Sequence, residues 1–497
     1  MRFGFSALLA ILAVFGVVLA PSAVAQGGAM CSGQVATITG SGGDDNITGT
    51  PGDDVIVAFA GNDIIDGLGG NDVICGGRGD DVIMAGSGAD IVLGGDDDDT
   101  IYGGSGADVL NGLDDDDIVY GGAGDDVLSG ADGDDILFGD NAECVNLDDL
   151  IDIRDQLPTL PRSFPHERGC TPQISGDDRI MGGQDQDVID GEEGSDVIFG
   201  GNDADVISGG LSTKSAPDAD QVFAGASLDA DFIQGAAVDF EANGGPGDDR
   251  IFASFITNAK VRGESGDDFL SVDGAEGGDV SVLGGTGNDR ISIFTQGETV
   301  VFGGDGHDSG FVEISETGFV TFYGGTGDDS FVGSEFGNDA DRLEMIAFGG
   351  PGNDVLASQF GSSAADLYGG SGDDELYNTN GLASGQAGND LLWTSNGTLL
   401  GGAGDDRMRL DFNTTVGVAR GGPGNDQLSG SGILDGGADD DQIYATNDAI
   451  LNGRDGVDSC GVEAGVTGDE RSCEQDQPGP LFDLDRLFYN FLSTIWD

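Results

Sequence analysis

A nine-residue repeat limits the possible folds of this chain more than any other feature of its sequence. From Ser41 to Gly139 the chain divides without a gap into eleven nine-residue units, such as GRGDDVIMA at 77–85. The fifth place is Asp in every unit, and Ile, Val or Leu stands two places later. A period this strict predicts a repeat architecture in which stacked units bury a continuous core.

The residue types within each unit indicate calcium binding. The glycine-rich turn of six residues can take left-handed backbone angles and aim carbonyl oxygens inward, while the Asp adds a charged oxygen. Calcium prefers such a set of about six to eight hard oxygen ligands. The three remaining residues predict a short strand whose aliphatic side chain points into the core.

Read from the preceding glycine, each unit has the pattern G-G-x-G-x-D-x-U-x, where U is aliphatic, and resembles the repeat of the haemolysin-type (RTX) calcium-binding family. The resemblance implies an all-β chain folded as a parallel β-roll, or β-solenoid, in which two units make one coil. It also implies that alternate units stack on one edge, with calcium between the loops of Asp45 and Asp63, for example. Asp97 and Asp115 stand where glycine is expected, and Asp tolerates the left-handed conformation better than most residues.

The same position of the repeat identifies the candidate calcium ligands. In the first array they are Asp45, Asp54, Asp63, Asp72, Asp81, Asp90, Asp99, Asp108, Asp117, Asp126 and Asp135. Four further units at 174–209 supply Asp178, Asp187, Asp196 and Asp205. From Gly244 a similar loop returns twelve times, and eleven of these loops supply candidate ligands at Asp249, Asp268, Asp289, Asp308, Asp329, Asp354, Asp374, Asp390, Asp406, Asp426 and Asp441.

The third array differs from the first in its spacing. Its loops recur at intervals of 15 to 25 residues, which is roughly one coil of two units. We therefore predict a wider solenoid with calcium turns along one edge and varied loops along the other. The loop at 303–308 is followed by Ser309 and Gly310, so the inward aliphatic residue is missing and a poor fit in the stack is predicted.

The net charge of the chain predicts that folding requires calcium. Acidic residues outnumber basic ones 92 to 18, which gives a net charge of −74. Such a charge repels nucleic acid and attracts cations, and a hydrophobic content of 38% argues against a wholly disordered chain. One ion between each pair of stacked loops gives roughly twenty-two calcium ions. Without them the carboxylates would repel one another, so we expect calcium binding to drive folding.

The N-terminal residues predict export, and the C-terminal residues predict a helix. Residues 1–25 contain Arg2, an apolar run from Phe5 to Leu19, and the tripeptide AVA before Gln26, which is typical of a cleaved secretory signal. We predict a secreted protein, extracellular or on the cell surface, without a transmembrane span in the mature chain; a retained anchor is the alternative. A helical spacing of apolar residues at 480–497 predicts a capping helix, with a docking segment or an export element as alternatives.

Six cysteines suit an oxidising compartment, where an even number favours disulfides. Proximity favours the pairs Cys460–Cys473 and Cys144–Cys170, which leaves Cys31 for Cys75. The second pair brackets an insert with a helical pattern from 147 to 157, which we expect to dock on the acidic roll or to mark a ligand site.

The arrays and their flanks predict seven segments. They are a signal peptide at 1–25, an N-terminal cap at 26–40, the first β-roll at 41–139, the bracketed insert at 140–173, a second repeat block with an irregular continuation at 174–243, a wider solenoid at 244–460, and a C-terminal cap with an amphipathic helix at 461–497.

Motifs for catalysis are scarce. The two histidines, His166 and His307, belong to no H-E-x-x-H zinc motif, and no G-x-S-x-G nucleophile motif occurs. We therefore predict no enzyme activity, and the lack of a long apolar region before the repeats disfavours a pore-forming toxin. Two functions stay open: a structural or adhesive surface or matrix protein, and a binding module that presents varied loops to a partner.

A row of apolar residues beside U, such as Val55, Ile64 and Val82, is expected to face outward because side chains alternate along a strand. Such an outer row needs a cover. Packing within the chain and a partner-binding or self-association face are the two interpretations, and neither a partner nor an oligomeric state follows from the sequence.

Overall fold

A computed structural model describes residues 29–139, 177–191, 195–202, 204–211, 221–225, 231–236, 239–254, 258–275, 278–315, 318–336, 344–359, 364–411, 417–462, 468–471 and 475–476. The regular elements of these residues are all β-strands. None of the residues so described forms a helix long and apolar enough to cross a membrane. The chain divides into two compact units, Met1–Gly245 and Pro246–Asp497.

The strands of the first unit are β1 (Met30–Cys31), β2 (Gln34–Val35), β3 (Ile38–Thr39), β4 (Asn46–Thr48), β5 (Val55–Ala60), β6 (Ile64–Asp66), β7 (Val73–Arg78), β8 (Val82–Ser87), β9 (Ile91–Asp96), β10 (Thr100–Ser105), β11 (Val109–Asp114), β12 (Ile118–Ala123), β13 (Val127–Asp132), β14 (Ile136–Phe138), β15 (Arg179–Gln184), β16 (Val188–Asp190), β17 (Val197–Gly201), β18 (Val206–Leu211), β19 (Gln221–Gly225), β20 (Phe232–Ala236) and β21 (Asp239–Pro246).

β1 and β2 form a small antiparallel pair, whereas the later strands of the first unit pair in parallel with the second strand before or after them in the chain. Ile101 of β10 lies beside Ile83 of β8 and Val119 of β12, so partners are 18 residues apart. Two nine-residue units therefore make one coil, and the all-β parallel roll is confirmed. The U residues form its core: Ile56, Ile65, Ile74, Ile83 and their successors are fully buried. The roll resumes after the insert, because Ile180 of β15 pairs with Leu128 of β13.

The strands of the second unit are β22 (Arg250–Ser254), β23 (Asn258–Ser265), β24 (Phe269–Ala275), β25 (Val280–Thr286), β26 (Arg290–Thr295), β27 (Glu298–Asp305), β28 (Ser309–Ser315), β29 (Phe319–Thr326), β30 (Ser330–Phe336), β31 (Glu344–Pro351), β32 (Val355–Gln359), β33 (Ala364–Ser371), β34 (Glu375–Ala387), β35 (Leu391–Ala403), β36 (Arg407–Leu410), β37 (Val418–Pro423), β38 (Gln427–Ala438), β39 (Gln442–Asp455), β40 (Ser459–Val462), β41 (Gly468–Arg471) and β42 (Gln475–Asp476).

The second unit is also a parallel solenoid, with a larger core and one glycine-rich Asp turn per coil. Strands β24, β26 and β28 pair in parallel in succession, as do β25, β27 and β29. Phe322 and Phe331 are fully buried, and their rings stack 4.0 Å apart. Polar groups also enter this interior: the amide nitrogen of Asn378 donates to the carbonyl oxygens of Ala365 and Leu382 at 2.6 and 2.9 Å.

The loop at 303–308, for which the sequence predicted a poor fit, is a regular member of the stack, so that expectation was wrong. Gly310 pairs in register with Phe331 on the next coil. A Cβ atom placed on Gly310 would lie 2.6 Å from the Phe331 ring, which therefore occupies the space that an aliphatic side chain at 310 would fill. The missing residue is compensated from the neighbouring coil.

The outer apolar row is partly covered by the chain itself. Cys31, Val57 and Val73 form a buried cluster with Val55, Cys75 and Ile91 packed against it, and the Cys31–Cys75 disulfide joins β1 to β7 as predicted. A second buried outer cluster contains Tyr120, Ile136, Phe138, Val188 and Val206. Ile64 and Val82, by contrast, are exposed.

Several predictions fall outside the described residues. They are the signal peptide, the helix at 147–157, the Cys144–Cys170 pair and the amphipathic helix at 480–497. Cys460 is disulfide-bonded, and its predicted partner, Cys473, also lies outside the described residues.

The compensation at Gly310 predicts the effect of removing the ring that provides it. We expect Phe331→Ala to lower the free energy of unfolding by about 3–5 kcal/mol, because it opens a cavity at a position that Gly310 cannot fill. Urea unfolding in saturating calcium measures this loss. The exposed Phe302→Ala is the matched control, with an expected loss under about 1 kcal/mol. Equal losses for the two variants would contradict the assignment of Phe331 to the core.

Candidate calcium centre

The loop of Asp108 shows how each turn is built. Its backbone places Gly104 and Gly106 in the left-handed region, with φ of 110° and 148°. This turn carries the chain from β10 to β11 and directs Asp108 into the interior, where 1% of its surface is exposed. Glycine is favoured at these places because a side chain there would be strained.

One carboxylate oxygen of Asp108 joins two coils. Its Oδ1 accepts the N–H of Asp90, one coil earlier, at 2.8 Å, and the N–H of Asp108 donates to Oδ1 of Asp126, one coil later, also at 2.8 Å. The same bond recurs along both edges of the first unit and along the Asp edge of the second, for example from Asp289 to Asp308 at 2.9 Å. These bonds form continuous rows of buried aspartates.

The second carboxylate oxygen has no such bond. In twenty of these aspartates the Oδ2 atom is buried without a hydrogen-bond partner: Asp63, Asp72, Asp81, Asp90, Asp99, Asp108, Asp117, Asp135, Asp187, Asp268, Asp289, Asp308, Asp329, Asp354, Asp374, Asp390, Asp406, Asp426, Asp441 and Asp458. A buried charged oxygen that lacks a donor is costly unless a cation accompanies it. A bound cation or a proton at these Oδ2 atoms would therefore stabilise the rows.

Backbone oxygens face the same space. A Cβ atom on Gly103 would lie 2.8 Å from Oδ2 of Asp108 and would also overlap the carbonyl oxygen of Gly121 on the next coil. Carboxylate and carbonyl oxygens thus converge where only glycine leaves room. No group of three or more His, Cys, Asp or Glu side chains that could hold a metal occurs among the described residues. The donor set is oxygen from the backbone and from the aspartates, which fits calcium and does not fit zinc.

Asp97 and Asp115 take the place that Gly106 has in the loop of Asp108, with left-handed φ of 80° and 78°, as the sequence predicted. Phe59 and Leu68 take the place that Gly104 has in that loop, with φ of 84° and 73°, although their side chains disfavour this conformation. The turn geometry is therefore imposed by the stack and not only by glycine.

A second row of hydrogen bonds runs along the exposed side of the loops, through the residue before each buried Asp. The N–H of His307 donates to Oδ1 of Asn288 at 2.9 Å, and the N–H of Asp328 donates to Nδ1 of His307 at 2.8 Å. In this row the donor lies on the later coil, whereas in the buried row it lies on the earlier coil. The two rows therefore connect each pair of coils in opposite directions.

Burial shifts the pKa values of the aspartates in the buried rows. Burial is the largest cause in each case, and the neighbouring carboxylates add to it; together they raise the pKa of Asp108 to about 6, that of Asp99 to about 8 and that of Asp117 to about 9. The hydrogen bond from the preceding Asp opposes the rise and is outweighed. Burial also raises the pKa of Asp54, but hydrogen bonds from Thr50 and Thr37 outweigh it and hold that pKa below its usual value.

The raised pKa values predict opposite effects of pH on the calcium-free and calcium-loaded protein. Because the folded-state pKa lies above the usual value of about 3.9, stability without calcium is greatest at low pH and falls as pH rises through about 6 to 9. Calcium competes with protons, so its affinity rises over the same interval.

Circular dichroism at pH 5.5 and 8.5 measures both effects. Calcium-free protein should contain more β-structure at pH 5.5, and the calcium midpoint should be lower at pH 8.5. A calcium-free spectrum that is independent of pH would contradict the assignment of the buried carboxylates.

The structure places the sequence-predicted aspartates in the turns, and their role as calcium ligands stays a prediction. All of the sequence-predicted aspartates lie in the described loops, and most join the buried rows. The sequence missed Asp231, whose Oδ1 accepts the N–H of Asp205 at 2.8 Å, and Asp458, whose Oδ1 accepts that of Asp441 at 3.1 Å. Asp458 follows a recognisable G-x-x-G-x-D signal, whereas Asp231 has only the aliphatic Ile233 two places later. Asp45 and Asp54 differ from the rest, as described below.

Parallel coils that carry a buried aspartate on each glycine-rich turn define a calcium-binding β-roll. The family model of the RTX calcium-binding nonapeptide repeat matches residues 39–74, 76–110, 111–142, 174–210 and 315–340, about a third of the chain. The protein therefore carries RTX calcium-binding repeats, and these bind several Ca²⁺ ions. No curated protein matches the chain.

Tight stacking at the glycines predicts a sharp contrast between two alanine variants. A Cβ atom on Gly106 would overlap the carbonyl oxygen of Gly88 in the preceding coil, whereas one on Gly43 would meet nothing within 4 Å. We expect Gly106→Ala to lower the free energy of unfolding by at least about 2 kcal/mol and Gly43→Ala by less than about 1 kcal/mol. Urea titration in saturating calcium measures both, and equal stabilities would contradict the close approach.

Proposed function

We propose that this chain is a secreted calcium-binding repeat protein whose folding depends on extracellular calcium and which acts as a structural or adhesive component of a surface or matrix. The observation that carries the proposal is the set of buried Oδ2 atoms without hydrogen-bond donors. Their charge opposes folding until a cation is bound, so calcium binding energy becomes folding energy.

Two features support folding outside the cell. Residues 1–25 have the pattern of a secretory signal, and the Cys31–Cys75 disulfide suits an oxidising compartment. Extracellular modules commonly bind calcium with dissociation constants of about 10⁻⁴ to 10⁻³ M. A chain with sites of that strength would stay unfolded during export and fold when it reached external calcium.

The arrangement of polar groups supports a structural role and not a catalytic one. The Nδ1 atom of His307 accepts a backbone N–H in the exposed row, so this imidazole is part of the coil-to-coil bonding. The regular carboxylates are likewise used by the turns. Ions that join each coil to the next would stiffen the solenoid, which is the property that a surface or matrix component needs.

Calcium removal tests the proposal. We expect far-UV circular dichroism of residues 26–497 to show little β-structure in chelator and a cooperative gain of β-structure as calcium is added. Magnesium should give a much smaller change, because it demands a tighter octahedral geometry and retains its water. The same β-sheet spectrum in chelator and in calcium would refute calcium-dependent folding.

A binding module is the second candidate, and one feature of the second unit favours it. Phe302, Tyr323, Phe348 and Tyr368 lie side by side on the outward face of β27, β29, β31 and β33, with ring centroids 4.8, 5.2 and 5.0 Å apart. Phe302 and Tyr323 are 40% and 38% exposed. Exposed apolar surface of this kind often marks an interaction site.

Surface retention distinguishes the two candidates. If the protein is a structural component, its calcium-dependent retention on the producing cell should be unchanged by Phe302→Ser and Tyr323→Ser. If this face binds a partner, the two variants should lose retention or a defined ligand. Val457→Ser, at another exposed apolar residue, is the control.

A further inference from the structure

The first two loops of the roll differ from the loops whose Asp Oδ2 atom is buried without a hydrogen-bond partner. The N–H of Ser41 donates to Oδ2 of Asp45 at 2.6 Å, and the N–H of Thr50 donates to Oδ2 of Asp54 at 2.7 Å. Asp63 and Asp72 are the next aspartates on the same two edges, and their Oδ2 atoms have no hydrogen-bond partner. A peptide N–H therefore occupies, in the first two loops, the side of the carboxylate that faces calcium elsewhere.

Backbone conformation explains this difference. The turn that leads to Asp63 consists of the six residues 58–63. Its second and fourth residues, Phe59 and Gly61, have left-handed φ of 84° and 117°. The corresponding residues of the first loop, Ser41 and Gly43, are outside the left-handed region, and the same holds for the second loop. The early loops thus keep the N–H of the second residue directed at the Asp, and they lack the turn that aims carbonyl oxygens at an ion.

At the start of the row that contains Asp54, the side chain of Thr37 takes the place of the hydrogen-bond donor that a preceding coil would supply. In later coils each Oδ1 atom accepts the N–H of the aspartate one coil earlier, but no earlier repeat exists for Asp54. The hydroxyl of Thr37 donates to Oδ1 of Asp54 at 3.2 Å instead. Both oxygens of Asp54 are therefore satisfied by protein groups alone.

The surrounding segment holds together by interactions that need no metal. The N–H groups of Thr37 and Gly40 donate to the carbonyl oxygens of Val55 and Val57, each at 2.8 Å. The Cys31–Cys75 disulfide ties β1 to β7, and Cys31 packs in an apolar cluster with Val57. Hydrogen bonds, a covalent link and apolar contacts thus converge on residues 29–57.

We propose that the calcium rows begin at Asp63 and Asp72, and that Asp45 and Asp54 belong to a calcium-independent cap, residues 29–57, in which peptide N–H groups replace the ion. The inference rests on the proposed calcium-dependent function of the later loops. The cap offers a preformed strand edge to the first calcium-dependent coil, so ordered structure spreads from the N-terminal end.

Hydrogen exchange of the full mature chain, with its disulfides intact, tests the cap. In calcium-free buffer, peptides from 29–57 should keep at least about half of the protection that they show in calcium, whereas peptides from 63–136 should lose nearly all of theirs. Equal loss of protection in both regions would overturn the calcium-independent cap.

Counting ions tests the ligand assignment separately. Bound calcium per chain is measured by equilibrium dialysis and atomic emission for Asp45→Asn and Asp54→Asn, and for the matched variants Asp81→Asn and Asp90→Asn on the same edges. We expect the first pair to bind as many ions as the wild type and the second pair to lose about one or two ions each. A loss of ions in the first pair equal to that in the second would make Asp45 and Asp54 ligands.

These experiments distinguish a failure of the proposed calcium-dependent function from a failure of the calcium-independent cap. If the wild-type chain binds no calcium and its spectrum does not respond to it, the proposed function fails whatever the cap does. If the wild type binds calcium but the first pair loses ions, or the cap exchanges freely, only this inference fails.

Discussion

The fold depends on the hydrogen bond between the N–H of one buried aspartate and the Oδ1 atom of the aspartate on the next coil, as between Asp90 and Asp108. This bond places a carboxylate in the interior at every turn, and it uses only half of that carboxylate. The other oxygen points into a space that carbonyl groups also face, which brings together the oxygen ligands that calcium prefers. The left-handed glycines, the parallel register and the raised pKa values all follow from this one placement.

The sequence predicted the repeated parts of the structure because one physical requirement recurs there. A glycine-rich turn, an Asp and an aliphatic residue at fixed spacing determine the coil, its core and its candidate ligands. The interval of 15 to 25 residues likewise indicated that the second unit has one such turn per coil. The Cys31–Cys75 pair was predicted only as the one left over after proximity had paired the other four cysteines, and that reasoning carried no information about the cap that it ties down.

The failures of prediction arose where neighbouring coils determine the outcome. Gly310 appeared to break the pattern, but the space beside it is filled by Phe331, 21 positions later in the chain. Asp231 lies in the row although no glycine precedes it closely, because the register of the coil places it there. Asp45 and Asp54 stand at the Asp position of the repeat, with Ser41 and Thr50 where the pattern has its second glycine. Phe59 and Leu68 also replace that glycine and are left-handed, yet the loops of Asp45 and Asp54 adopt another backbone conformation. A linear motif cannot report whether a preceding coil exists, and that is the condition that distinguishes the first two loops.

The 18-residue register of the first array, residues 41–139, has a consequence for how such a chain can change in length. Duplicating or deleting 18 consecutive residues within that array would return every strand to an equivalent partner and preserve both rows of hydrogen bonds, whereas a change of nine residues would move each later loop to the opposite edge. The segment between Gly139 and Asp177 illustrates the same tolerance, since β15 pairs with β13 as though nothing intervened. The number of coils in this array, and with it the number of ions that it could hold, can therefore change in steps of one coil without redesign of the remaining residues.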